Sequence, residues 1–150
     1  MDDIAIIVPV VDDTATLQEL LRVVRGWTDQ PSEIVVASGG RDAELEALCA
    51  QQRCRPIVVR PCRGAQLDAG ARASSAELLW FLHADALPRA GSLGAIRAAH
   101  ANGAEAGYFR FELDGARDFR RRVLETAVRW RIRCGGVPYG DQGLWITRQA

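Results

Sequence analysis

The chain opens on an unbroken apolar, mostly β-branched run, Ile4 to Val10, and no other feature constrains its fold as strongly. A strand with one wet face alternates apolar and polar residues, whereas an unbroken run fits a strand covered on both faces in a parallel sheet. An acidic turn, Asp12-Asp13, follows at once. Leu17, Leu20, Leu21, Val24 and Trp27 then recur at helical spacing, which predicts a helix over Thr14 to Trp27, capped by Asp13 or Thr14. The unit repeats. Glu33 to Ala37 reads as a second strand ending in Ser38-Gly39-Gly40, and Asp42 to Gln52 as a second helix with Leu45 and Leu48 inward. A third strand is expected at Ile57 to Arg60, a helix at Ala65 to Ser75, and a fourth strand at Glu77 to Leu82 running into His83-Ala84-Asp85. Helix Ala90 to Asn102, strand Gly107 to Leu113, an arginine-rich helix Asp118 to Cys134 and a strand-like Leu144 to Thr147 complete the reading.

This alternation across short loops predicts an α/β fold with right-handed crossovers, a mostly parallel sheet and helices on both faces. Ligands of such sheets sit beyond the carboxyl ends of the strands. The Asp12-Asp13, Ser38-Gly39-Gly40 and His83-Ala84-Asp85 loops therefore share one rim. At 150 residues and 48% hydrophobic content the chain suits one domain with a substantial core. Nineteen acidic residues balance nineteen basic ones, all of them arginine, so no net field holds nucleic acid or an anionic membrane. Any anion must meet a local site. Cys49, Cys54, Cys62 and Cys134 have no zinc-ligand spacing and are expected to be reduced, mostly buried thiols. The start of the chain has neither a basic region nor a long apolar run, so a cytoplasmic location is expected.

Asp85 directly follows the fourth apolar run, a position from which a carboxylate can hold a hard divalent cation together with a substrate's phosphates. His83 can face the same crevice. Turns also favour aspartate for local reasons, so Asp85 as a turn residue before Pro88 stays open. Asp12 and Asp13 can accept from ribose hydroxyls or cap the first helix. Arg60 and Arg63 flank the end of the third strand, where a guanidinium can pair with a diphosphate or simply be solvated. Nothing matches G-x-G-x-x-G or a Gly-Lys-Ser/Thr ending, and the chain has no lysine, which counts against dinucleotide and ATP-hydrolysing readings.

Phe81-Leu82-His83-Ala84-Asp85 and Tyr139-Gly140-Asp141-Gln142-Gly143, with Arg63, Gln66 and Ala69-Gly70-Ala71 between them and Val8-Pro9-Val10-Val11 ahead, resemble a bacterial branch of the family-2 glycosyltransferases. The resemblance covers essentially the whole chain. It implies a Rossmann-like GT-A fold, a nucleotide-diphosphate sugar donor such as a UDP-sugar, an acceptor of unspecified identity, and a divalent Mn2+ or Mg2+ ion. It places the metal on Asp85 and the nucleotide sugar on Pro9, Asp13, Ser38, Arg63, Gln66, His83 and Ala84. Residues 1–113 correspond to the donor-binding part and 114–150 to the start of the acceptor side. Family members usually carry Asn-Glu at Asp12-Asp13 and an aspartate at Ser38. They also continue to an acidic pair that supplies the catalytic base, so an incomplete chain is expected, with Asp141 the remaining late carboxylate. An inactive or truncated nucleotide-sugar-binding module is the alternative. For the Arg120-Arg121-Arg122 helix, core packing with a solvated basic face is favoured over membrane contact.

Overall fold

A computed structural model describes residues 3–109 and 143–149. Strand β1, Ile4–Val10, carries buried side chains on both faces, as the unbroken run requires. Helix α1, Thr14–Arg25, buries Leu17, Leu20, Leu21 and Val24, and β2, Glu33–Ser38, pairs parallel to β1 with Ala5 opposite Glu33 and Val10 opposite Ser38. Helix α2, Ala43–Gln52, leads to β3, Arg55–Val58, which pairs with β2 at the edge of the sheet. Both β3 and α3, Arg63–Ala73, begin two residues earlier than the sequence predicts. An edge strand tolerates Pro56, so the apolar Ile57-Val58-Val59 run was a poor guide to where pairing starts.

From β3 the chain crosses back over β2 and β1 to place β4, Leu78–Phe81, on the other edge of β1. Helix α4, Ser92–Ala101, and the short β5, Ala106–Gly107, follow. Strand β6, Trp145–Thr147, then inserts antiparallel between β4 and β5, giving the order β3-β2-β1-β4-β6-β5. Of the strand expected from Gly107 to Leu113, Tyr108 and Phe109 are not in a strand, and residues 110–113, helix Asp118 to Cys134 and the loop through Gln142 lie outside the described residues.

The two faces are covered unequally. Ile4, Ile6, Val8 and Val10 meet residues of α1, α2 and α4 in one core cluster, whereas Ala5, Ile7, Val35 and Leu79 meet Leu67 and Ala71 of α3 in the other. Helix α4 thus lies on the same face as α1, although its crossover runs toward the opposite edge of the sheet. The β1–α1–β2 and β4–α4–β5 connections consequently have opposite hands, against the uniform right-handedness expected from the alternation.

Helix α3 sits very close to the sheet because Gly70 faces it: a Cβ there would overlap Ile7 Cγ2, a side chain pinned within the core. Gly70→Ala should therefore lower stability by about 1–3 kcal/mol, as overpacking of a filled core does. Thermal unfolding checks it, and an unchanged midpoint would show that α3 can lift off β1 without penalty.

Candidate functional site

The strand order reverses between β1 and β4: β2 and β3 extend from one edge of β1, and β4 lies on the other. Such a switch point opens a crevice at the carboxyl ends of the two strands. The acidic turn closes β1, and the His83-Ala84-Asp85 turn closes β4.

Asp12 follows β1 in the left-handed region at φ 51°, a conformation that aspartate tolerates better than most residues. It reverses the chain so that Asp13 caps α1, accepting from the Thr16 amide at 3.4 Å. Asp13 is half-buried and Asp12 exposed. Thr14 Oγ1 donates to Asp42 at 3.2 Å, and Asp42 caps α2 through the Glu44 amide at 2.9 Å, so the two helix starts are tied together at the rim.

Ser38 is buried at the end of β2, where its hydroxyl donates to the Gly40 carbonyl and accepts from the Gly40 amide. The side chain closes its own loop. Gly39 is required by crowding, since a Cβ there would stand 2.8 Å from Val11 Cγ2 and 3.0 Å from Pro61 Cβ. The three loops that follow β1, β2 and β3 thus converge on this glycine.

At the end of β4, the Leu82 amide donates to Ile7 at 3.0 Å, continuing the pairing, and the Ala86 amide to the His83 carbonyl at 3.1 Å, folding the turn. Asp85 is exposed at its tip, and Ala84 is buried in the first core cluster. His83 is half-buried and lines a cavity of about 290 Å³ on the α3 face with Leu67, Ala71, Phe81, Leu144 and Ile146. That mostly apolar lining, to which the Asp68 carboxylate also contributes, does not suit a diphosphate, so the rim and not the cavity is the candidate polar site. Pro9 is half-buried within β1, and Arg63 is exposed at the first position of α3. Gln66 lies beneath the rim at 2% exposure. Asp141 lies outside the described residues.

Among the described residues no three His, Cys, Asp or Glu side chains gather for a metal ion. A hard ion bound together with a diphosphate needs only one or two protein carboxylates, because the phosphate oxygens and water complete the shell. The exposed Asp85 carboxylate fits that smaller requirement. No helix among the described residues is long and apolar enough to cross a membrane.

Cys62 departs from the burial expected of the cysteines. It is exposed at the N-cap of α3, where the Ala65 amide, then that of Gly64 and the Arg60 guanidinium, hold its thiol below the ordinary value against a smaller opposing effect of burial. Burial instead pushes Cys49 up to about 11, reinforced by Cys54 and Glu46, and raises Cys54 against the pull of Arg25.

The matches with known proteins agree with this geometry. Residues 5–149 match the model of Glycosyl transferase family 2, and the chain belongs to that family. Among solved structures it resembles glucosyl-3-phosphoglycerate synthase from Mycobacterium tuberculosis. The complex of that protein with Mn2+, UDP-glucose and phosphoglyceric acid matches at TM-score 0.71 and 18% identity, covering 99% of this chain and 57% of that one. Its complex with Mn2+, UDP and glucosyl-3-phosphoglycerate matches at TM-score 0.70 and 19% identity, with 99% and 57% covered. These likenesses establish the GT-A fold, and the chain spans less than two thirds of the length of those relatives. No curated protein sequence matches it.

A thiolate, not a thiol, is alkylated, so the lowered value at Cys62 moves its reaction to lower pH than that of an ordinary cysteine. Iodoacetamide at neutral pH should label Cys62 at least about tenfold faster than the buried Cys49, read by peptide mass spectrometry. Equal labelling of the two in the folded protein would contradict the placement of α3.

Proposed function

We propose that the chain forms the donor-binding part of a glycosyltransferase that moves a sugar from a nucleotide-diphosphate donor, a UDP-sugar by analogy with the solved relatives, to an acceptor hydroxyl. The observation that carries this reading is the pair of carboxylate-bearing turns that close β1 and β4 on either side of the switch point. Asp13 takes the ribose hydroxyls. Arg63, at the start of α3, pairs with the diphosphate, Pro9, Ser38, His83 and Ala84 line the donor site, and Gln66 supports it from beneath. Asp85 holds Mn2+ or Mg2+, which supplies charge neutralisation for the departing nucleoside diphosphate.

In the reaction the acceptor oxygen bonds to the anomeric carbon, the bond from that carbon to the diphosphate oxygen breaks, and its electron pair leaves with the diphosphate. Direct displacement of this kind inverts the anomeric centre, and the acceptor's proton passes to a base. Asp141 is the candidate from this chain for the acceptor side, within residues 114–150. Residues 1–113 form the donor part. The location proposed for the protein is the cytoplasm.

A second reading, a module that binds nucleotide sugar without turning it over, is favoured by one observation. The Ser38 hydroxyl is engaged with Gly40 at the position where the family usually offers a free carboxylate to the base. Sustained release of nucleoside diphosphate from a nucleotide sugar would exclude it.

A ligand that binds only the folded state raises stability by about 2.7 kcal/mol at a hundred times its Kd, a shift of several degrees for a domain of this size. UDP with MnCl2 should raise the unfolding midpoint of the wild type, and Asp85→Ala should remove the part of that rise that depends on metal. No shift at saturating ligand, or the same shift in Asp85→Ala, would overturn the proposal.

A further inference from the structure

The side chain that ties the rim together is Gln66, one turn into α3 and 2% exposed. Its backbone amide closes the first turn of α3 on the Cys62 carbonyl at 2.9 Å. Its carboxamide nitrogen donates to two different strands, to the Val10 carbonyl of β1 at 2.9 Å and to the Ala37 carbonyl of β2 at 2.7 Å. Both carbonyls lie at strand ends, just before the Asp12-Asp13 and Ser38-Gly39-Gly40 loops. The Val10 carbonyl also accepts from the Gly39 amide at 2.9 Å, so the two loops and the start of α3 meet on one buried amide group.

Among uncharged side chains of this length only a carboxamide can supply two N–H donors from a single atom. A glutamate would face both carbonyls with a carboxylate, and an apolar residue would leave them buried with one donor fewer each. The demand is specific, because two carbonyls of different strands converge on one buried amide nitrogen.

We infer that Gln66 is a positioning residue: it holds the β1 and β2 loops and the Arg63 end of α3 in the spacing that the donor nucleotide needs, acting through backbone carbonyls and not by touching the ligand. The consequence for binding rests on the function proposed above, whereas the consequence for the loops does not.

The test compares three versions of the 150-residue chain, the wild type, Gln66→Met and Arg148→Met. Methionine matches the shape of glutamine without its donors. Arg148 provides the control, because its guanidinium donates to the Ala71, Ser74 and Ala76 carbonyls at the opposite end of the sheet, with the Ala76 bond at 2.9 Å and the Ser74 bond at 2.8 Å. Amide hydrogen exchange is measured without ligand, and UDP affinity is then titrated in the presence of MnCl2.

Gln66→Met should speed exchange in peptides spanning 10–14 and 37–42 at least about tenfold and weaken UDP binding by about the same factor, as expected for buried carbonyls deprived of a donor. Arg148→Met should speed exchange around 71–78 and leave UDP affinity within about twofold of the wild type, because only contacts remote from the rim are lost. Unchanged exchange in the two rim loops of Gln66→Met, or a rise spread evenly over every strand, would overturn the inference. Wild-type protein that binds no UDP would overturn the donor-site reading instead, and the exchange data would still decide the role of Gln66. Loosened loops with unaltered UDP affinity would likewise refute positioning for the ligand.

Discussion

Strand β1 is hydrogen-bonded along both edges and covered on both faces. Ile4 through Val8 are 0–1% exposed, and the strand pairs with β2 on one side and β4 on the other. Burial of apolar surface at this density is the main favourable contribution in such a fold, and its two-sidedness dictates the architecture. Helices must lie on both faces, and the chain must pass over β1 to reach its second edge. That passage creates the reversal of strand order, and with it the crevice. The position of the site is therefore a by-product of how the central strand is buried.

Much of this was legible in the sequence because it depends on periodicity. The bounds of β1 and the start of α1 agree residue for residue with the pattern of apolar side chains, and β2 and α2 agree to within one residue. The rim loops were legible for the same reason, since parallel strands bring their ends to one side. What periodicity does not encode is which helix takes which face. The placement of α4 beside α1 involves contacts remote in sequence, among them the 2.6 Å ion pair of Arg97 with Asp29. The slot taken by β6 was equally invisible, because three residues of strand carry no signal of their neighbours.

The site shows a similar division between what residue type reveals and what packing decides. Asp85 and Asp13 could be picked out as strand-end carboxylates, and the structure leaves the first exposed and gives the second a capping role. Gln66 and Ser38 stood out through the resemblance, yet their side chains are directed at the backbone of the rim and not at open crevice. The left-handed turn at Asp12 and the exposure of Cys62 had no visible signal. Aspartate in a turn is common to many conformations, and a cysteine at a helix start is not a preferred cap.

Strand β6 separates the order in which the chain is written from the order in which its sheet can close. The Trp80 indole donates to the Gly143 carbonyl at 3.1 Å across 63 residues of sequence, and among the described residues the neighbouring β6 lies between β4 and β5 in the sheet. Closing a loop of that length carries an entropic cost before any contact offsets it. During synthesis the β3-β2-β1-β4 half can assemble while the outer edge of β4 still presents unpaired amides and carbonyls to its surroundings. Such an edge is a template for strands of other molecules. The late arrival of a three-residue strand thus sets the interval over which the nascent protein is exposed to mispairing, and the yield of folded material depends on how quickly that slot is filled.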